Sequence, residues 1–126
     1  MSAKYKTVYR VENKKRGIGP YNSKVGATRA WRAMSHDLPE PHNDAGFVEP
    51  VVVRNGDIFG APTKSAMKEW IVEPRVLRSH SYLVRKYKVP VDKVVASQIQ
   101  CIFKKKDAQC VAEYDIVEFM KGKKNA

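Results

Sequence analysis

At 126 residues, with 24 Lys and Arg against 13 Asp and Glu, the chain carries a formal net charge of +11, a balance that attracts polyanions or an acidic protein surface. A hydrophobic content of 43% with 2 Trp, 6 Tyr and 4 Phe excludes wholesale disorder and suits one core in one domain over 1–126, with a basic tail from about 121 onward. No apolar run nears the ~20 residues that span a bilayer, the opening Met1-Ser2-Ala3-Lys4 lacks the apolar stretch of a secretory signal, and a cytoplasmic location is expected.

Tyr5 to Val11 alternates in the manner of a strand, with Tyr5, Thr7, Tyr9 and Val11 on one face and Lys6, Val8 and Arg10 on the other. The segment Gly17-Ile18-Gly19-Pro20-Tyr21 reads as an ordered loop, and its two glycines are too few for a phosphate-cradling fingerprint. Ala27, Ala30, Trp31 and Met34 fall at helical spacing and predict an amphipathic helix from about Lys24 to Ser35, anchored by Trp31. His36 to Gly46, with two prolines and no periodicity, reads as a long loop. Its His36, Asp37, His42 and Asp44 raise the idea of a metal site, but zinc sites want three or four ligands in fixed geometry and such residues in turns commonly satisfy local backbone groups instead, so no metal is assigned.

Val51-Val52-Val53 reads as a short strand, and Asn55-Gly56 as a hairpin turn continuing into Ile58 and Phe59. Thr63 is a credible N-cap for a helix whose Ala66, Met67, Trp70 and Ile71 share a face until Pro74 ends it. Tyr82 to Val89 reads as a strand closed by Pro90, and Val94 to Phe103 as another. From Ala108 to Met120 the spacing fits either helix or strand; a polar turn at Lys104 to Asp107 favours a strand over Cys110 to Val117, placed so that Cys101 lies across from Cys110. Both cysteines are read as small, buried and reduced. The order of elements predicts a mainly antiparallel α+β fold of bent sheets with two short helices.

Basic residues interleaved with aromatics on one surface would make a nucleic-acid platform. Tyr82 to Lys88 has that composition, but alternation puts Tyr82, Val84, Lys86 and Lys88 on one face and Leu83, Arg85, Tyr87 and Val89 on the other, so each face is mixed. No serine stands in an elbow motif and neither cysteine has a neighbouring base cue, which argues against acyl transfer.

The opening Tyr9-Arg10-Val11-Glu12 followed by Gly17-Ile18-Gly19-Pro20-Tyr21, the His36 to Asp44 loop, and Phe59-Gly60 leading to Trp70-Ile71 together resemble small proteins of bacteriophages and prophages. A more distant resemblance is to the ADP-ribosyltransferase fold, in which an early strand supplies Arg or His and a late strand carries Gln-x-Glu or Glu-x-Glu. That resemblance implies NAD as cofactor, with Arg10 and Gln100 at the catalytic positions and Tyr9, Arg10, Tyr21, His36 and Gln98 around the dinucleotide; Thr63 or Ser65 would match the middle element. An Arg would hold the pyrophosphate by charge-assisted hydrogen bonds. The sequence departs from that pattern at the decisive place, because Gln100 stands where a catalytic Glu would be and a neutral amide cannot stabilise an oxocarbenium-like transition state as a carboxylate does. The expectation from these features is a phage accessory protein that binds and modulates a host factor, in host takeover or anti-defence, through a basic surface. An NAD-dependent transferase and a nucleic-acid-binding protein are the alternatives.

Overall fold

The computed structural model of the chain describes residues 4–15, 32–35 and 57–121. In chain order these form β1 (Tyr5–Asn13), β2 (Asp57–Gly60), α1 (Lys64–Trp70), α2 (Pro74–Ser79), β3 (Tyr82–Pro90), β4 (Val94–Ala96), β5 (Cys101–Lys104), β6 (Gln109–Tyr114) and α3 (Ile116–Lys121), with single 3-10 turns at Val91–Lys93 and Lys105–Asp107. The strands make two three-stranded sheets, ordered β1-β3-β6 and β2-β5-β4, and every strand pairing is antiparallel. The α+β class and the antiparallel sheets are as the sequence predicts.

Register explains the layers. Residues directly opposite on neighbouring strands point to the same face. Val11 opposite Val84, and Val84 opposite Tyr114, place one face of the first sheet against the helices, where Tyr9, Val11 and Val84 pack with Met67, Ile71, Leu77, Ile116 and Phe119. Val8 opposite Tyr87 marks the other face, where these two and Val89 pack on Cys101 and Phe103 of the second sheet. The first sheet is thus the middle layer between helices and a second sheet. This is why β1 is buried without a break from Val8 to Glu12, although its composition reads as a half-exposed alternating strand.

The two sheets are joined at a close approach. Beyond the end of β2, Ala61 exchanges both backbone hydrogen bonds with Tyr9, at 2.8 and 2.7 Å. Gly60 makes that approach possible, since a Cβ there would sit 2.5 Å from the Tyr9 carbonyl oxygen.

Several expected boundaries shift for identifiable reasons. Thr63 does cap α1, its Oγ1 accepting from the Ala66 N–H at 3.0 Å. Pro74 not only ends that run but occupies the first turn of α2, where its missing N–H costs nothing and its fixed φ suits a helix. The segment read as one strand from Val94 to Phe103 is a hairpin of β4 and β5, with Ala96 opposite Cys101. Its reversal is built on Ser97, whose N–H donates to the Gln100 carbonyl at 2.8 Å while its Oγ accepts from the Ile99 and Gln100 N–H groups at 3.2 Å. The ambiguous last segment is both things in turn. β6 ends at Tyr114, and Asp115 Oδ2 accepts from the Val117 and Glu118 N–H groups at 3.1 and 3.0 Å to start α3.

The predicted pairing of Cys101 with Cys110 across a hairpin is not what forms: β5 pairs within the second sheet and β6 with β3, because the turn at Lys105–Asp107 carries the chain from one sheet to the other. Both thiols are free, Cys101 buried and Cys110 exposed, so the reading of Cys110 as a core residue is corrected. The Gly17 to Tyr21 loop, the helix from Lys24 with Trp31, the His36 to Gly46 loop and the Val51 to Gly56 hairpin lie outside the described residues, apart from 32–35, where Ala33 and Met34 join the helix-side core. Among the described residues, no helix is long and apolar enough to cross a membrane.

Candidate functional site

Two clusters of charged and polar side chains lie on opposite faces of the middle sheet. The first lies on the face toward the second sheet and centres on Glu12, which is fully buried. Its Oε1 accepts from Tyr87 Oη at 2.6 Å and Arg85 Nη1 at 2.9 Å, and its Oε2 from Arg10 Nε at 2.7 Å. Arg10 also donates to the Phe59 carbonyl at 2.9 Å, and Arg85 to Glu113 at 2.8 Å. Lys105 Nζ stands 3.8 Å from Glu12 Oε2. Burial alone would push the Glu12 carboxyl up, but the hydrogen bonds from Tyr87 and Arg85 and the charge of Arg10 outweigh it and hold it below the usual carboxylate range. Burial and the bond to Glu12 push Tyr87 well up. Among the described residues, no buried side-chain nitrogen or oxygen lacks a partner. A satisfied pair of arginines and carboxylates between two sheets fixes how the sheets meet.

The second cluster lies on the helix side. In the strand register Tyr9, Lys86 and Ala112 form one row across the sheet, and Thr7, Lys88 and Gln109 the next. Neither row contains a carboxylate. Lys88 Nζ lies 4.7 Å from the centre of the Tyr5 ring. From α1, Lys64 Nζ stands 5.6 Å from the Tyr114 ring and Lys68 Nζ 5.5 Å from the Phe119 ring, the two lysines sharing a helix face by their spacing of four. Phe119 packs against both Tyr9 and Tyr114, with ring centroids 5.9 and 5.7 Å away. The lysines therefore stand over an aromatic floor, an arrangement that favours a cation over each ring face.

Five of the described acids pair with other cations. Glu12 and Glu113 pair with arginines between and beside the sheets, Asp57 with Lys104, Asp115 with Arg78 and Glu118 with Lys121. Among the described residues no carboxylate pairs with Lys64, Lys86 or Lys88. Lys64, Lys86 and Lys88 therefore bring positive charge to the helix-side face that no carboxylate of the described residues neutralises by pairing.

The sequence-predicted residues fall as follows. Tyr9 and Arg10 are adjacent on β1 and so project to opposite faces, Tyr9 toward the helices and Arg10 into the Glu12 cluster. Gln98 and Gln100 are not on a strand, as their reading as a late-strand motif expects, but in the turn between β4 and β5, Gln98 exposed and Gln100 buried. Tyr21 and His36 lie outside the described residues. The mixed-face reading of Tyr82 to Lys88 resolves cleanly: Arg85 and Tyr87 are taken into the Glu12 cluster, while Lys86 and Lys88 stand on the helix side. Glu12, Lys64, Lys68 and Tyr114 were not singled out from sequence, although the pair Lys64 and Lys68 at helical spacing was a readable signal. Among the described residues, no group of His, Cys, Asp and Glu could hold a metal ion. Burial pushes the Cys101 thiol up to about 12, which leaves it un-ionised and unreactive at neutral pH.

No curated protein and no solved structure matches the chain significantly. A family model described as Bacteriophage T4 Y00F protein matches residues 1–117, nearly the whole chain, as the resemblance to small phage proteins led one to expect. The protein is a phage protein, a member of the Bacteriophage T4 Y00F protein family.

Proposed function

We propose that this phage accessory protein acts by binding a host factor that carries negative charge, and that the lysine-lined, helix-side face of the middle sheet is where it binds. The carrying observation is the set of lysines on this face: among the described residues, Lys64, Lys86 and Lys88 stand there without a carboxylate partner, while Glu12, Asp57, Glu113, Asp115 and Glu118 pair with other cations. Such a face steers an anionic partner and pays no internal ion pair to receive it. The engagement of Arg10 with Glu12 and the Phe59 carbonyl supports binding over NAD cleavage, because that guanidinium has a structural task in the resting protein.

The test is retention from host lysate on immobilised protein at low and high salt, with the triple variant Lys64→Glu, Lys86→Glu, Lys88→Glu beside the wild type. The expected result is a defined species retained by the wild type at low salt, eluted by high salt, and lost in the variant. Equal retention by both proteins would refute the assignment of this face.

A further inference from the structure

We propose that the anion recognised on this face is a phosphate group of a nucleic-acid strand, seated where the hydroxyls of Tyr9 and Tyr114 meet the ammonium groups of Lys64 and Lys86. The inference rests on the binding face proposed above and adds the ligand and its contacts.

The first support is an unanswered polar group. Tyr9 is only 6% exposed, its ring fixed by Phe119 and its backbone tied to Ala61. Its hydroxyl nevertheless makes no hydrogen bond among the described residues, and since no buried side-chain oxygen is left without a partner, this oxygen must open to the outside. A tyrosine held this firmly with its donor free at the surface is ready for a ligand acceptor. Tyr114, on the same Phe119 ring, likewise makes no side-chain hydrogen bond among the described residues. Burial, and after it the neighbouring Tyr114, pushes the Tyr9 hydroxyl up, so Tyr9 stays protonated and able to donate.

The second support is the kind of cation present. Arginine forks match carboxylates and phosphates alike, and Arg10, Arg78 and Arg85 are already paired with carboxylates of this chain. The corner offers lysines, which meet phosphate oxygens as point charges. Lys64 lies over the Tyr114 ring, and Lys86 is directly opposite Tyr9 in the strand register. Hydroxyl and ammonium donors from these four side chains suit a tetrahedral, multiply accepting anion better than a flat one. Beside it Tyr5, 49% exposed, with Lys88 above its ring, offers an aromatic surface and a further charge to the neighbouring nucleotide, the combination that single strands use.

The test is fluorescence anisotropy of a labelled mixed-sequence single-stranded oligonucleotide, with polyglutamate and inorganic phosphate as competitors. The wild type, Tyr9→Phe, Tyr114→Phe and Lys64→Glu/Lys86→Glu proteins are compared, each checked for folding by thermal unfolding. The expected result is salt-sensitive oligonucleotide binding, weakened about tenfold by each Tyr→Phe change, as loss of a hydrogen bond to a charged group implies, and abolished by the charge reversals. Should Tyr9→Phe unfold the protein, Tyr114→Phe on the half-buried ring decides alone. Oligonucleotide affinity unchanged in the Tyr→Phe variants would overturn the phosphate seat while leaving the basic face standing. Polyglutamate binding as well as the oligonucleotide would overturn the nucleic-acid ligand and point to an acidic protein on the same face. Inorganic phosphate binding as tightly as the oligonucleotide would overturn the strand in favour of a free phosphate. Binding of none of the three would overturn this inference and the proposed face together.

Discussion

Replacing Glu12 by Gln tests whether the buried charge cluster holds the two sheets together. The carboxylate is fully buried and receives three hydrogen bonds of 2.6 to 2.9 Å from Tyr87, Arg85 and Arg10. Glutamine has the same shape but offers one carbonyl oxygen and turns an NH2 toward a donor, so at least one arginine is left facing a donor with its charge uncompensated. Breaking a buried pair from one side costs about 3–5 kcal/mol, against a total of roughly 5–15 kcal/mol for a protein of this size. Urea unfolding at neutral pH should show that loss as a lower midpoint with an unchanged slope. The pH dependence has a fixed sign. Because the Glu12 carboxyl is held below its ordinary value, its contribution is complete above about pH 4.3 and is lost as pH falls through the folded value. The gap between wild type and Glu12→Gln should therefore close on acidification. A loss under about 1 kcal/mol, or a gap that persists undiminished to low pH, would refute a stabilising role for the cluster.

Other expectations follow from single contacts. Tyr87→Phe should lower stability by about 1.5–3 kcal/mol, the usual worth of a hydrogen bond to a charged group, and, since the Tyr87 hydroxyl is pushed up, should remove a loss of wild-type stability that sets in above about pH 10; both are read by denaturant titration. Gly60→Ala should cost about 1–3 kcal/mol, because its Cβ would meet the Tyr9 carbonyl oxygen at 2.5 Å; neutral behaviour in thermal unfolding would show that the junction yields. Thiol titration of the native protein should modify Cys110 alone, with Cys101 reacting only on unfolding. Incubation with NAD and host lysate should release no nicotinamide, and release that Arg10→Ala abolishes would restore the transferase reading.

The fold class was legible because the strands signal themselves by alternation and aromatic content, and Thr63 and Pro90 mark ends by chemistry that acts locally. The hairpin between β4 and β5 was hidden because its turn is made by the Ser97 hydroxyl and backbone, with no Gly, Pro or Asn to announce it. Helix α2 was hidden behind a proline that reads as a stop and serves as a start. For the site, the excess of positive charge is plain in the composition, but which lysines stand together depends on the register of β1, β3 and β6 and on where α1 packs, both long-range outcomes. Glu12 looks in sequence like one more solvated acid two residues from an arginine; only the second sheet, by burying it, makes it a centre.

The most direct test of the basic face is the salt dependence of oligonucleotide affinity in the wild type and in the charge-neutralised Lys64→Gln/Lys86→Gln/Lys88→Gln variant. If these three lysines receive the anion, the slope of log affinity against log salt should become shallower by about 2 in the variant, at roughly 0.7 per phosphate neutralised on a single strand. The same slope in both proteins would mean that the charge of +11 acts evenly over the surface and that the lysine face has no special part in binding.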